Sequence, residues 1–314
     1  MDSLIAALVG LGGGVLLTPV VRTVALRLDI VDRPGELKPQ RVPVAYLGGV
    51  AVFIAAAIGP IISQRAWVLL PMVLALGLGL ADDVRPLAVP LRVGVEIGIA
   101  AVAALVVPGT GLTRAATAIL VVGLLNAVNL LDGQDGLAAG AGAVIAVGFA
   151  FLGGASAAIG LGLAGALLGF LVLNKPPARI YLGDAGAYLI GTTIALLPAL
   201  SRHSTMQWST WWAVPLLVAM PIADTTIAIV RRLRARRPLL SGDRSHVYDQ
   251  LVDRGMSVGR STLVCVGTQL VFTVLGVFAT HADPLAALAI TFLASSVTAI
   301  VVWRAGLLTV GSES

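Results

Sequence analysis

The sequence predicts an all-α polytopic membrane protein of about eleven transmembrane helices, with its amino terminus outside and its carboxyl terminus in the cytoplasm. Three observations predict it. Of 314 residues, 58% are hydrophobic and only 12% are charged, about half the charged share of a soluble protein; the mean hydropathy is +0.97. The apolar residues gather in eleven runs that can cross hydrocarbon, or nearly so. The runs lack the strict alternation of barrel strands, which leaves helices as the spanning form. Lipid is then the solvent for most of the surface, and residues 1–314 read as a single integral-membrane domain.

The runs are 4–21, 46–63, 67–81, 93–107, 115–131, 137–153, 155–173, 185–200, 211–230, 262–280 and 284–303. The third and fourth are short, so their ends are expected to dip into the interface or to thin the bilayer. Many of the 36 glycines lie inside the runs, where close helix packing in membranes uses them. The first run follows Asp2 with no basic segment before it, so it is expected to stay as a span instead of being cleaved. Cys265 is the only cysteine, so no internal disulfide can form. No fixed-period repeat is visible.

Charge sets the orientation. With the amino terminus outside, only Arg65, Arg114 and Arg202 of the 21 basic residues fall in outer loops, a strong positive-inside bias. The acidic residues follow the same side, leaving Asp2 and Asp283 outside. The pI near 10 therefore reflects membrane topology and gives no reason to expect a nucleic acid. Nearly all polar chemistry is expected on the cytoplasmic face, in loops 22–45, 82–92, 126–137, 174–187 and 231–260.

Loop one carries several prolines, which forbid a continuous helix, and Lys38, a point charge for a phosphate or one more topogenic cation. Loop two opens with Asp82 and Asp83, adjacent carboxylates that face different sides of a helix end. They read either as a charge pair neutralised by Arg85 or Arg92, or as a metal or phosphate site. Glu96, four residues after Arg92, is expected to pair with it. Loop three, Asn126-Ala-Val-Asn129-Leu-Leu-Asp132-Gly-Gln-Asp135-Gly, is the densest polar cluster between spans. Asn126 and Asn129 share a helix face, Asp132 follows one turn on, and a glycine after each Asp permits close backbone approach. An Asx-type turn is its plain alternative. Loop four holds Asn174, a Pro-Pro turn and Gly183-Asp184-Ala-Gly186. Loop five holds the basic run 231–237, suited to topology and lipid headgroups, and then His246. Asp224 lies inside the ninth run, where an ionisable side chain is functional by default.

Asp82, Asp83, Asp132, Asp135 and Asp184 thus reach one face at similar depth. Two carboxylates about 5 Å apart repel by roughly 3 kcal/mol at an effective dielectric of 20, so convergence calls for a cation. Hard oxygen ligands beside basic residues suit Mg²⁺, with Mn²⁺ an alternative, bridging to phosphate. No Cys/His spacing offers a zinc site. Such a site at a lipid boundary calls for a substrate with a phosphate head and an apolar tail.

On Asn126–Leu137, Asp82-Asp83, and Asn174 with Pro177-Ala178 and Gly183-Asp184-Ala-Gly186, the chain resembles the polyprenyl-phosphate N-acetylhexosamine-1-phosphate transferase superfamily, glycosyltransferase family 4. The resemblance runs from Asp32 to Gly255. It implies transfer of a sugar 1-phosphate from a UDP-sugar to polyprenyl phosphate with release of UMP, in the membrane synthesis of cell-envelope polysaccharide. It makes Asp82, Asp83 and Asp184 the catalytic set and Asp184, Asp83 and Asp132 the Mg²⁺ ligands. Lys38, Asn126, Asn129, Asp132, Asp135, Asn174 and His246 become the substrate-binding residues. It places the protein in the cell membrane, with the active site on the cytoplasmic face, and is compatible with a homodimer.

Several positions depart from the family pattern. Loop one usually has Arg-Lys-x-His where this chain has Leu37, Lys38, Pro39 and Gln40, and Ala45 replaces a proline. Pro90 stands at a common lysine. Ala185-Gly186-Ala187 replaces Ser-Gly-Ser, and His246-Val247-Tyr248-Asp249 replaces His-x-His-His. The changes point to an altered sugar donor, closer to N-acetylglucosamine than to MurNAc-pentapeptide. The rival readings are an inactive or re-purposed family member and a secondary transporter of an anionic solute. The transporter would place its charges near the midplane in repeated halves.

Overall fold

The computed structural model describes residues 1–33, 42–202, 207–238 and 246–309. Its elements are α1 (Asp2–Arg27), the strands β1 (Val31–Asp32) and β2 (Val44–Ala45), α2 (Gly48–Ala56), α3 (Ile58–Ile62), α4 (Leu69–Val84), α5 (Val89–Val106) and α6 (Gly111–Leu131). After these come α7 (Leu137–Ala150), α8 (Ala155–Asn174), α9 (Gly183–Leu196), α10 (Trp208–Leu217), α11 (Ala219–Arg234), α12 (Val247–Asp253), α13 (Val258–His281) and α14 (Pro284–Arg304). The strands pair antiparallel, Val31 opposite Ala45 and Asp32 opposite Val44.

This is an all-α polytopic membrane protein. Among the described residues, eight helical segments are long and apolar enough to cross a bilayer: α1, Ala66–Val84, α5, α6, α8, Gly183–Leu200, α13 and α14. A ninth arises if α10 and α11, bent by 65° at their junction, count together. Each of the eleven apolar runs coincides with helix, but three expectations need correction. The third and fourth runs are not the short ones. Asp82, Arg92 and Glu96 interrupt the apolar pattern there while the helices continue through them, to 19 and 18 residues. The short segments are instead Gly48–Ile62 and Leu137–Ala150. The ninth run is no straight span: Pro215 and Pro221 flank a break at Val218.

That break would leave backbone groups unsatisfied in an apolar interior, which membranes penalise heavily. Gln269 of α13 prevents this. Its Oε1 accepts from Met220 N at 2.8 Å, and its Nε2 donates to Leu217 O at 2.8 Å and to Thr273 Oγ1 at 2.9 Å.

The core is built on α9. Every residue from 185 to 200 is buried, and α4, α6 and α2 pack around it. Lipid-facing residues sit elsewhere: on α14 only Ala287 and Thr291 are buried. Small residues bring backbones together, as expected without a strong hydrophobic drive between helices. Along the α1–α8 seam, β-carbons at Gly10, Gly14, Gly165 or Gly169 would collide with the opposite helix backbone.

Candidate active site

Close packing is what assembles the site. At Gly79 a β-carbon would run into the backbone of Ala185, so glycine lets α4 lie directly against the start of α9. Four residues on, Asp83 reaches that start. Its Oδ1 accepts from Asp184 N at 2.8 Å and its Oδ2 from Ala185 N at 3.2 Å. No local side chain caps α9; Asp83 does so from another helix, where a negative charge favours a helix amino terminus. Gly183 has φ +71°, and a β-carbon there would sit 2.5 Å from an Asp83 oxygen. Only glycine fits both the backbone and the space.

Asp82 turns into the protein, where its carboxyl lies against that of Asp184. Its Oδ1 accepts from Leu87 N at 2.7 Å, closing the α4–α5 turn, and its Oδ2 accepts from Tyr188 Oη at 3.2 Å and Arg92 Nη1 at 3.4 Å. The adjacent carboxylates thus point to different sides, as the helix geometry predicts. The charge-pair reading holds for Asp82, whose ion partner is Arg92.

The end of α6 supplies the opposite wall. Asn129 Nδ2 donates to Asp184 Oδ1 at 2.6 Å. Asp132 follows in the turn, where burial and then the charges of Asp184, Asp83 and Asp135 hold its carboxyl well above the usual range. Burial also raises the Asp135 carboxyl, against an opposing hydrogen bond from Ala178 N at 2.9 Å. Asp83, Asn129, Asp132 and Asp184 therefore converge at one end of the bundle. The opposite end holds a cavity of about 200 Å³ bounded by Leu152, Arg202, Gln207 and His281.

Other predicted residues sit differently. Asn126 turns away from Asp184, into the bundle: its Nδ2 donates to Glu96 Oε2 at 2.7 Å and to Val122 O at 3.0 Å. Asn174 is buried and donates to Ile180 O at 2.9 Å, which holds the 175–182 loop. His246 is buried, its Nδ1 2.6 Å from Asp224 Oδ2, while Asp224 Oδ1 accepts from Val247 N at 2.7 Å. Tyr248, one of the departures from the family pattern, is a strut: its hydroxyl donates to Leu130 O at 3.0 Å beside the loop-three turn. Asp249, another, caps α12 through His246 N at 3.3 Å. Lys38 lies outside the described residues.

Sequence reasoning missed Tyr46 and Tyr181. Their rings meet edge to face, with centroids 5.9 Å apart. Burial and nearby carboxylates, Asp32 and Asp132 among those of Tyr46 and Asp135 foremost for Tyr181, push both phenols up, so each stays a neutral donor. The signal was present: Tyr-Leu-Gly occurs at 46–48 and again at 181–183. The two copies run side by side, joined by Tyr181 N to Ala45 O, Gly48 N to Tyr181 O and Gly49 N to Leu182 O.

The donors gathered here are hard oxygens. Among the described residues no three of His, Cys, Asp and Glu stand together as a ready cage for a metal, and the oxygens of Asp82 and Asp83 already accept from backbone and side-chain donors. A Mg²⁺ site does not need such a cage; one or two carboxylates plus waters and substrate phosphate oxygens suffice. Asp132 and Asp184 are available for that, and the mutual repulsion that raises Asp132 is what a cation would relieve. The residues fit the ion.

Comparison with known proteins identifies what the chain is similar to. The sequence pattern described as glycosyl transferase family 4 matches residues 66–202. A Bacillus subtilis protein named as a probable undecaprenyl-phosphate N-acetylglucosaminyl 1-phosphate transferase is 29% identical, over 86% of this chain and 83% of its own. The decaprenyl-phosphate N-acetylglucosaminephosphotransferase of Mycobacterium tuberculosis is 30% identical, over 82% of this chain and 78% of its own. A phospho-N-acetylmuramoyl-pentapeptide-transferase of Heliobacterium modesticaldum is 39% identical, but over only 36% of this chain and 35% of its own.

Proposed function

The chain belongs to glycosyl transferase family 4, and on that premise we propose that it transfers a sugar 1-phosphate from a UDP-sugar to a membrane polyprenyl phosphate, releasing UMP, in cell-envelope polysaccharide synthesis. The observation that carries the reading is the convergence of Asp83, Asn129, Asp132 and Asp184 at one end of a lipid-facing helix bundle. The similarity to N-acetylglucosamine-1-phosphate transferases over 86% and 82% of the chain favours an N-acetylhexosamine donor.

An oxygen of the lipid phosphate attacks the sugar-bearing phosphorus of the donor, and the bond to the UMP oxygen breaks. A phosphate monoester has a second pKa of about 6 and is mostly dianionic at neutral pH, so no residue need remove a proton. The chain's task is to position and neutralise. Asp184 and Asp132 would hold Mg²⁺, which supplies positive charge to the phosphate oxygens. Asn129 fixes the Asp184 carboxylate, and Asp83 fixes the backbone that carries it. The neutral hydroxyls of Tyr46 and Tyr181 can donate to a substrate without adding charge. The apolar tail of the acceptor stays in lipid against the exposed helix faces. The crowding of basic residues at the site's end of the bundle supports a cytoplasmic active site in the plasma membrane.

The test is exchange of labelled UMP into a UDP-sugar, which needs lipid acceptor and divalent cation if the reading holds. Asp184→Asn should abolish exchange while membrane insertion and thermal stability persist. Exchange at the wild-type rate in that variant overturns the assignment.

A further inference from the structure

One buried polar chain remains outside this mechanism. On α5, Glu96 is completely buried, its Oε2 bound by Asn126. Its Oε1 lies 3.6 Å from Arg92 Nε, and neither atom has another hydrogen-bond partner. Arg92 extends the opposite way to Asp82, Nη1 to Oδ2 at 3.4 Å. Asp82 in turn accepts from Tyr188, one helical turn after Asp184 on α9. A continuous line therefore runs from α6 through Asn126, Glu96, Arg92 and Asp82 to the helix that presents Asp184.

A completely buried carboxylate costs free energy unless it is paired and serves some purpose. Simple stabilisation explains this one poorly: its contact with Arg92 is long, and both facing atoms are orphaned. The guanidinium is shared between two carboxylates and closes fully on neither. Its position, and so the charge left on Asp82, depends on the pull from Glu96.

We propose that Glu96 is a positioning residue for the cation-binding carboxylates, acting through Arg92 and Asp82 on the α9 end that carries Asp184. The Glu96 carboxylate draws Arg92 back, so that Asp82 keeps part of its negative charge beside Asp184. Without that side-chain charge Arg92 closes on Asp82, and the cluster becomes less attractive to a divalent ion. Asn126 belongs to this line: it holds Glu96 and does not touch substrate.

The inference rests on the divalent-cation reading above, so its test measures the ion directly. Mn²⁺ bound by the purified protein in detergent is counted by electron paramagnetic resonance. Glu96→Gln keeps the shape and the acceptor for Asn126 but removes the charge; it should weaken Mn²⁺ on the order of tenfold, the usual effect of losing a partner behind a ligand, with thermal midpoint and KM for the UDP-sugar unchanged. Arg92→Lys cannot reach both carboxylates as a planar fork and should weaken Mn²⁺ similarly. The double variant should be no worse than the worse single one. Mn²⁺ affinity within twofold of wild type in either folded single variant, or additive losses in the double, overturns the role of Glu96. A wild-type protein that binds no Mn²⁺ overturns the cation reading itself. If Glu96→Gln does not fold, Arg92→Lys decides alone.

Discussion

Asp83 on α4 caps the helix that begins at Asp184, through hydrogen bonds of 2.8 Å to Asp184 N and 3.2 Å to Ala185 N. One carboxylate thereby fixes the backbone of the other. It also explains why the pair Asp82-Asp83 cannot be treated as two equal copies. Asp82 is committed to Leu87, Arg92 and Tyr188, whereas Asp83 supports the site from below.

Asp83→Asn should therefore act through geometry. The amide keeps one acceptor and loses the charge at the helix end, costing about 1 kcal/mol of stability, as for loss of a cap. UMP exchange should fall on the order of a hundredfold, because a displacement of about 1 Å at reacting groups costs that much. Thermal melting beside an exchange assay checks both. A variant that loses stability but keeps its rate would show the cap to be structural alone.

Gln269 offers a second test. Replacing it with Leu leaves Met220 N and Leu217 O without partners in a buried break, at about 1–3 kcal/mol for each unsatisfied group. The thermal midpoint should fall by several degrees. Because α11 carries Asp224, the partner of His246, the loss should spread to loop five as faster proteolysis. Gln269→Glu, which keeps the acceptor for Met220, should be milder.

The third prediction concerns pH. The Asp132 carboxyl is held above its usual range by burial and then by Asp184, Asp83 and Asp135. The folded protein then keeps a proton that the unfolded chain has already released. Stability without a cation is therefore greatest below the ordinary carboxylate range and is lost as pH rises towards the raised value. In chelator, the thermal midpoint should fall as pH rises from the ordinary carboxylate range towards the raised value. Added Mg²⁺ should remove most of that fall, and so should Asp132→Asn. A flat profile in chelator would contradict the repulsion inferred for the cluster.

Much of the site was legible because the chemistry demanded residue types that are rare in a membrane span. Asp83, Asn129, Asp132 and Asp184 stand out against an apolar background, and they do meet. Asn126 and Asn174 stood out equally, yet the structure gives their amides to Glu96 and to a loop carbonyl. Three-residue spacing puts Asn126 near the face of Asn129, but only the position of α5 decides which neighbour it finds. Tyr46 and Tyr181 stayed hidden, since a tyrosine at a helix boundary is ordinary in a membrane protein.

The sequence by itself determined the lipid solvent, the helical form and the stretches that carry the polar residues. These follow from composition and local periodicity, which report how each segment meets water or hydrocarbon. Tertiary structure alone decided that α10 and α11 are broken and clamped by Gln269, that Asp82 and Asp83 do different work, and that two Tyr-Leu-Gly segments lie side by side. Those outcomes depend on contacts between residues 49 to 136 positions apart, and the pattern along one segment carries no record of which distant backbone will come to rest against it.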